Sequence, residues 1–533
     1  MKKSRQLPYV GLVFALLLSF AFPAGAAGTL HAAAASAVYH VATNGADAAG
    51  CGTEEQPCQT LQYAVDLAGS GDVVKVAAGT YTHSGPPPSP DCSIGSTNAE
   101  PVVCVLNKHL TIRGGYDPAD WSTADPAANP TVVDGQNAKR GISVIGWSDA
   151  SATASLVLEG LTVRQGLALG AGGGVDWVVG AYGGGLYATN APVTLRQVTF
   201  AANRAVGGDT GQSYGGTAAG GALALNGMPA GTTCLLEHVT FTNNQAWGGQ
   251  GQDRGGTAIG GGLYVDTADV HGSHLEFYDN LAQAGSSSGS GRDTVHNWTA
   301  DGLGGGAAIH VSSDAQMEDV VATGNQAIGG DAGIQPGAGH GGAIYAEHAE
   351  FEVEEADLRQ NKAIGGNGRN GYIGGGGAMM VSESNLSLER CLIVDNEARG
   401  GDGTTGTTGA VGGGGLYLLR TSTQPSSISI SNSVIADNLA VEGQGAIISG
   451  GGGGGLWLQG VQVDMVHTTI ARNRLGPTLT LGVGALVVNF GCQRPAVVDV
   501  DYTIVAGHAH PIGAALHVWP GNTLNLHQSL FAA

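Results

Sequence analysis

The chain has 533 residues; 92 are glycine, only 12% are charged and 42% are hydrophobic. That apolar content excludes a disordered chain, and a formal charge of −21 argues against nucleic acid and acidic membranes as partners. The same charge would repel a polyanionic polysaccharide unless a divalent cation bridged the two, although it also serves solubility alone.

The first residues read as an export signal. Lys2, Lys3 and Arg5 are basic, 12–22 (LVFALLLSFAF) is an apolar core too short for a membrane span, and Ala24-Gly25-Ala26 and Ala35-Ser36-Ala37 are small-residue cleavage sites. Residues 1–37 are therefore set apart from the fold, and no later stretch is apolar enough to span a bilayer. Without the leader the chain is three charges more negative. Cys51, Cys58, Cys92 and Cys104 cluster next. In an exported protein they are predicted to form two disulfides; three connectivities are possible, and the short loop favours Cys51 with Cys58. Cys234, Cys391 and Cys492 are scattered with no metal-site spacing, and the odd total leaves a thiol unpaired.

From about residue 180 the chain repeats. One element is a glycine pair or run before a short apolar strand: GGGLYA at 183–188, GGALAL at 220–225, GGGLYV at 260–265, GGAIYA at 341–346, GGAMMV at 376–381, GGGLYL at 413–418 and GGGLWL at 453–458. The second is a large apolar residue three places before an asparagine, which gives Asn203, Asn244, Asn280, Asn361, Asn396, Asn438 and Asn473; Asn325 takes the slot without the bulky residue. Leu186 to Asn203 is 17 residues, and so are Leu263 to Asn280, Ile344 to Asn361, Met379 to Asn396 and Leu456 to Asn473. The interval between successive asparagines varies from 35 to 45, so a rigid half-repeat alternates with an elastic, glycine-rich one. In the rigid half, VTLRQVTF (193–200) puts Val193 and Leu195 on one face and, after a bend, Val198 and Phe200 on the same side. Glycine pairs permit a corner that side chains forbid, and asparagine is predicted to take the left-handed conformation at the next one and to stack as a ladder. Such short strands bury an apolar face only by stacking repeat on repeat, at ~4.8 Å. The elastic halves, such as 205–218 and 398–413, are predicted to leave the coil at one corner and line up as a binding side.

The paired motifs resemble those of right-handed parallel β-helix proteins of bacterial surfaces, notably the GGA[ILV] and FxxN repeats of the chlamydial polymorphic outer membrane proteins, over about residues 170 to 490. Residues 38–82 are similar to the first coils of secreted pectate-lyase-like β-helices, which implies a capping helix at 61–68 and an early strand at 73–81; 110–117, 130–136 and 156–166 look like further coils. The fold class implied is all-β, a right-handed parallel β-helix with an N-terminal cap: 38–160 as cap and first coils, 161–533 as repeat. Phe531 fits the apolar slot and the matching asparagine would fall at position 534, so a truncated C-terminus is expected.

That fold hosts lyases, hydrolases and adhesins, so chemistry must come from residues. His340 in AGHGGAI resembles the Gly-His-Gly of polygalacturonases, yet the chain has no Asp-Asp pair and the triplet is one copy of the repeat element. Glu352 and Glu354, with Glu355, are the nearest acidic cluster to it and the candidate carboxyl pair for glycosidic chemistry. Asp209, Asp253, Asp331 and Asp402 sit in glycine-rich loops and could offer oxygens to Ca2+, with turn formation as the simpler role; Arg254, Arg292 and Arg369 are candidate bases for a lyase. Tyr187, Tyr264, Tyr345, Tyr417 and Trp457 recur after the strand-opening residue. They form either an exposed stripe for an extended glycan or a stripe buried by the loops. The expected function is an exported binding protein for polysaccharide or a cell surface. The alternatives are a polysaccharide lyase or glycosidase, and a passive stalk.

Overall fold

In a computed structural model of the chain, the repeats wind into a parallel β-helix. The structure describes residues 36–532 except 83–88, 98–99, 148–152, 173–179, 212, 290–298, 425, 448–450, 478–482, 490–493 and 509–514. The leader and Arg292 lie outside the described residues, and the coils belong to one unit, Ala37–Ala533. The described strands form sheets of 22, 12, 9 and 6 strands. Named strands pair in parallel, apart from a hairpin between His109–Asp117 and Asp120–Ala124.

The twelve-stranded sheet collects the strands that follow the glycine pairs, such as Leu263–Asp266, Ala307–His310 and Ile344–Glu347 in succession. In the six coils from Gly183 to Gly376 the first glycine of the pair has positive φ, from 57° at Gly183 to 66° at Gly376, and Gly183 also leaves no room for a Cβ, which would meet the Leu186 carbonyl at 2.2 Å. A side chain there would be both strained and blocked. The largest sheet takes the second half of each coil. Along Thr233–Thr242 the residues Cys234, Leu236, Val239 and Phe241 all point inward. They keep one side because His238, between the two pairs, sits at φ 54° and resets the alternation of the pleat. Gln197, His274, Asp319 and Glu355 occupy the same corner of other coils, at φ 51–56°.

The asparagine corner differs from expectation. The left-handed residue is the one before each asparagine: Ala202, Asn243, Asp279, Gly324, Gln360, Asp395, Asp437 and Arg472. The asparagines themselves turn their amides into the coil. Asn203 donates from its backbone N–H and from Nδ2 to Asn244 Oδ1, both at 3.0 Å, and Nδ2 also donates to the Val163 carbonyl at 2.9 Å. The pattern runs unbroken through Asn280, Asn325, Asn361, Asn396 and Asn438 to Asn473. All eight are at most 1% exposed. A side chain that stays buried must spend its polar atoms on partners, and the ladder does so. Phe200, Phe241 and Phe277 stack beside it, with ring centroids 5.4 and 4.8 Å apart.

At the N-terminal end the helix Leu61–Leu67 buries Leu61, Gln62, Ala64 and Val65 against the first coil. Thr60 caps it by accepting from the Tyr63 N–H, and Asp47 holds Thr60 in turn. Cys51 is bonded to Cys58 and Cys92 to Cys104, while Cys234 and Cys391 are free and buried.

The glycine-rich halves are ordered rather than loose. Each loop runs out and back, and its two limbs bond to one another and to the next loop. Gly216 N–H donates to the Gly208 carbonyl, Gly249 to Gly216, Gly256 to Gly249 and Gly285 to Gly256, at 2.8–2.9 Å. Stacked loops thereby make a laminate along the axis. Its spacing demands glycine: a Cβ at Gly249 would lie 2.1 Å from the Gly208 carbonyl oxygen, and one at Gly256 1.8 Å from that of Gly216. The laminate folds back over the outer face of the twelve-stranded sheet. The six-stranded sheet of two-residue strands, from Ala181–Tyr182 to Gly374–Gly375, is its inner margin.

Candidate functional site in a cleft beneath the glycine laminate

Two apolar cores follow from that return. Leu186, Leu263 and Ile344 point into the coil, while their neighbours Tyr187, Tyr264 and Tyr345 point outward into a second cluster with Ala219, Ile259 and Leu303 of the six-stranded sheet. Of the two alternatives for the aromatic stripe, the covered one describes these tyrosines. Tyr187, Tyr264, Tyr345 and Tyr417 are only 5–7% exposed, and Trp457 is half-buried. The physical reason is the glycine laminate, which lies flat enough to cover the stripe and exclude water from it.

Midway along the solenoid the cover leaves a cleft of about 740 Å³, lined by polar groups of consecutive coils. Asp266, His310 and Glu347 end three successive strands of the twelve-stranded sheet and stand in register, ~4.8 Å per rung. His310 Nε2 lies 3.1 Å from Glu347 Oε2, and Nδ1 lies 3.7 Å from Asp266 Oδ1. Burial works against a charge on this ring, but the two carboxylates outweigh it and push its pKa up to about 9. At neutral pH His310 is thus an imidazolium clamped between two anions. Burial also opposes ionisation of Glu347, and the hydrogen bond and charge of His310 nevertheless hold its pKa below the ordinary value. The hydroxyls of Tyr264 and Tyr345 approach Asp266 and Glu347, and burial together with those anions raises both phenols.

The opposite wall carries Asp301, His340 and Tyr182. Asp301 Oδ1 accepts from the Thr299 hydroxyl and the Ala338 N–H, each at 2.7 Å, which fixes the carboxylate at the start of Gly302–Leu303. His340 is placed by the pairing of Gly339–His340 with Gly302–Leu303 and Gly374–Gly375. Burial lowers its pKa in spite of the charges of Asp301 and Glu347, so the ring is neutral, and its Nδ1 is buried with no hydrogen-bond partner. Arg254 reaches the same cleft and donates to Thr257 Oγ1 at 2.8 Å.

The candidates named from sequence are dispersed. His340, Arg254, Tyr264 and Tyr345 line the cleft. Glu352 and Glu354 do not; they lie on the outer face of the largest sheet, in a separate groove of about 370 Å³ with Glu237, Glu318 and His271. Glu354, Glu355 and Glu389 all pair with Arg390 in a surface ion cluster. His340 and the glutamates therefore do not form one site, because His340 belongs to the six-stranded sheet and the glutamates to the outer face of the largest one. Asp209, Asp331 and Asp402 accept the backbone N–H of Gln250, Asn367 and Gln444, each from the next coil, at 2.7–2.8 Å. One oxygen of each thus helps hold the laminate together, each on its own rung, in keeping with the simpler turn-and-loop role. Arg369 is exposed, and the Asp253 backbone N–H donates to the Ser213 carbonyl. Among the described residues the one set of three metal-ligating side chains that converges is Asp47, Cys51 and Cys58, whose two sulfurs are joined in a disulfide.

Sequence reasoning missed Asp266, Asp301, His310 and Glu347. The signal for three of them was present: the fourth residue of the strand element is Thr189, Asn226, Asp266, His310, Glu347 and Ser382 in successive coils, so ionisable residues occur at that rung in three consecutive repeats. Asp301 had no such signal, since it enters from the loop.

No protein-family model matches the chain, and no curated protein matches it in sequence. Solved structures match at low similarity. They include a rhamnogalacturonan lyase at 12% identity, covering 84% of this chain and 85% of that one with a TM-score of 0.28. Another is XylC in complex with xylose, at 9% identity, 92% and 86% coverage and a TM-score of 0.33. The polygalacturonase from Erwinia carotovora ssp. carotovora matches at 10% identity, with 93% and 96% coverage and a TM-score of 0.24.

Proposed function

We propose that this chain is an exported polysaccharide-binding β-helix and that its ligand lies in the cleft beside Tyr264 and Tyr345. The observation that supports it is the cleft itself: a concavity of about 740 Å³ in which Asp266, Asp301, Glu347, His310 and His340 converge on an otherwise covered sheet. Pockets that recognise small polar ligands join apolar walls to a few fixed polar groups, and here the tyrosine-lined floor supplies the first and the acidic rungs the second. Two disulfides near the N-terminus fit an oxidising compartment, and among the described residues no helix is long and apolar enough to cross a membrane.

A glycan array probed with the wild type and with Glu347→Gln tests this reading. Binding to at least one glycan class, weakened ~10-fold or more by the substitution, is the expected result. An array on which neither protein binds anything would overturn it.

A second reading, cleavage of the bound glycan, is favoured by the presence of Asp301 and Glu347 in one cleft, because hydrolysis of a glycosidic bond needs two carboxyl groups. It predicts new reducing ends from any glycan bound on the array, assayed with and without Ca2+. Their absence from every bound glycan removes it.

A further inference from the structure

The ionised groups of the cleft lean negative, three carboxylates against His310 and Arg254, and that bears on which glycan fits. Asp266, Asp301 and Glu347 are acceptors. Of the possible cationic donors, His310 is already shared between Asp266 and Glu347, and Arg254 is engaged with Thr257. The phenols of Tyr264 and Tyr345 face the carboxylates, and His340 is neutral. A ligand entering here meets lone pairs and net negative charge, within a chain whose overall formal charge is −21.

We infer that the cleft accepts glycans presenting hydroxyl or ammonium donors, that is neutral and amino sugars, and excludes uronans. Sugar hydroxyls can donate to the three carboxylates, and an ammonium would add charge complementarity. A uronate brings a further acceptor and a negative charge to each residue. It would have to be desolvated beside Asp301 and Glu347, where the two cations, His310 and Arg254, already hold partners, and the net negative charge of the cleft opposes it. The inference rests on the glycan-binding reading and narrows it to a chemical class.

The test is an array printed with chitosan oligomers, xylan and polygalacturonate, probed in EDTA with the wild type, Glu347→Gln and Asp301→Asn. Circular dichroism confirms that each variant is folded. The wild type is expected to bind chitosan oligomers or xylan, with polygalacturonate at least ~10-fold weaker. Glu347→Gln removes one anion and frees His310, and should raise the polygalacturonate signal relative to the others by several-fold. Polygalacturonate as the strongest wild-type signal in EDTA would overturn the selectivity while leaving glycan binding intact. A ratio unmoved by both variants would also overturn it, because the acidic rungs would not then be its cause. Silence on all three polymers would overturn this selectivity, while the binding reading stands or falls on the wider array.

Discussion

At the scale of single residues, the interior tolerates polar atoms only where they are fully used. Asn280 accepts twice from Asn244 and donates to the Phe241 carbonyl and to Asn325 Oδ1. Asn280→Ala strands those groups in the dry core, at an expected cost of about 2–4 kcal/mol, read as a lower midpoint in urea unfolding. A loss under about 0.5 kcal/mol would mean that the ladder contributes order but little stability. His310 makes a different prediction. Its folded pKa, about 9, lies above the ordinary value of 6.5. The stabilisation it brings is therefore fully present below about pH 6.5 and is lost as pH rises through about 9. Urea unfolding at pH 6 and pH 9.5 should show a wild-type decline greater than that of His310→Gln, which has no proton to lose. Equal declines would place the titration elsewhere.

At the scale of elements, the laminate matters more than its composition suggests. Glycine there is a packing requirement at some positions and a convenience at others. Gly249 faces the Gly208 carbonyl oxygen, whereas nothing lies within 4 Å of a Cβ at Gly211. Gly249→Ala should force the limbs apart at a cost of about 1–3 kcal/mol. Gly211→Ala should be neutral to within about 0.5 kcal/mol. Limited proteolysis offers a second readout: the Gly249 variant should become sensitive in the glycine-rich loops, since the cover over Tyr264 would open. If both variants behave alike, the laminate is not load-sharing with the coil. The asparagine corner belongs to this scale too. A left-handed residue before each asparagine, rather than the asparagine itself, is what lets the amide turn inward, and a motif of residue types does not reveal which of two adjacent residues carries the unusual angle.

For the whole molecule, each coil touches mainly its neighbours, so stability is close to a sum of coil and interface terms. Local damage should stay local. Cys51–Cys58 and Cys92–Cys104 span only 7 and 12 residues. Reducing them should remove roughly 2–3 kcal/mol each from the first coils. Hydrogen exchange should accelerate around Val38–Val41 and Pro101–Leu106 while the ladder asparagines from Asn280 to Asn438 keep their protection. A uniform loss along the axis would show that the cap controls the entire solenoid.

The sequence by itself determined the coil. Its recurring 17-residue interval, stretched to 21 and 22 in two repeats, glycine pairs and inward apolar positions allow one economical solution, stacked parallel strands, because no single repeat can bury its own face. Leu186 and Phe200 were legible as core for that reason, and they are fully buried. The tertiary structure decided everything that depends on what lies across from a strand. Whether Tyr264 faces water or a wall is set by the return path of a glycine-rich loop, and such a loop has no side-chain periodicity from which to read a direction. The cleft depends on the same return. Asp266, His310 and Glu347 lie 44 and 37 residues apart in sequence and become neighbours only because parallel stacking turns that distance into single rungs, while Asp301 meets them from the loop that leads into Gly302–Leu303.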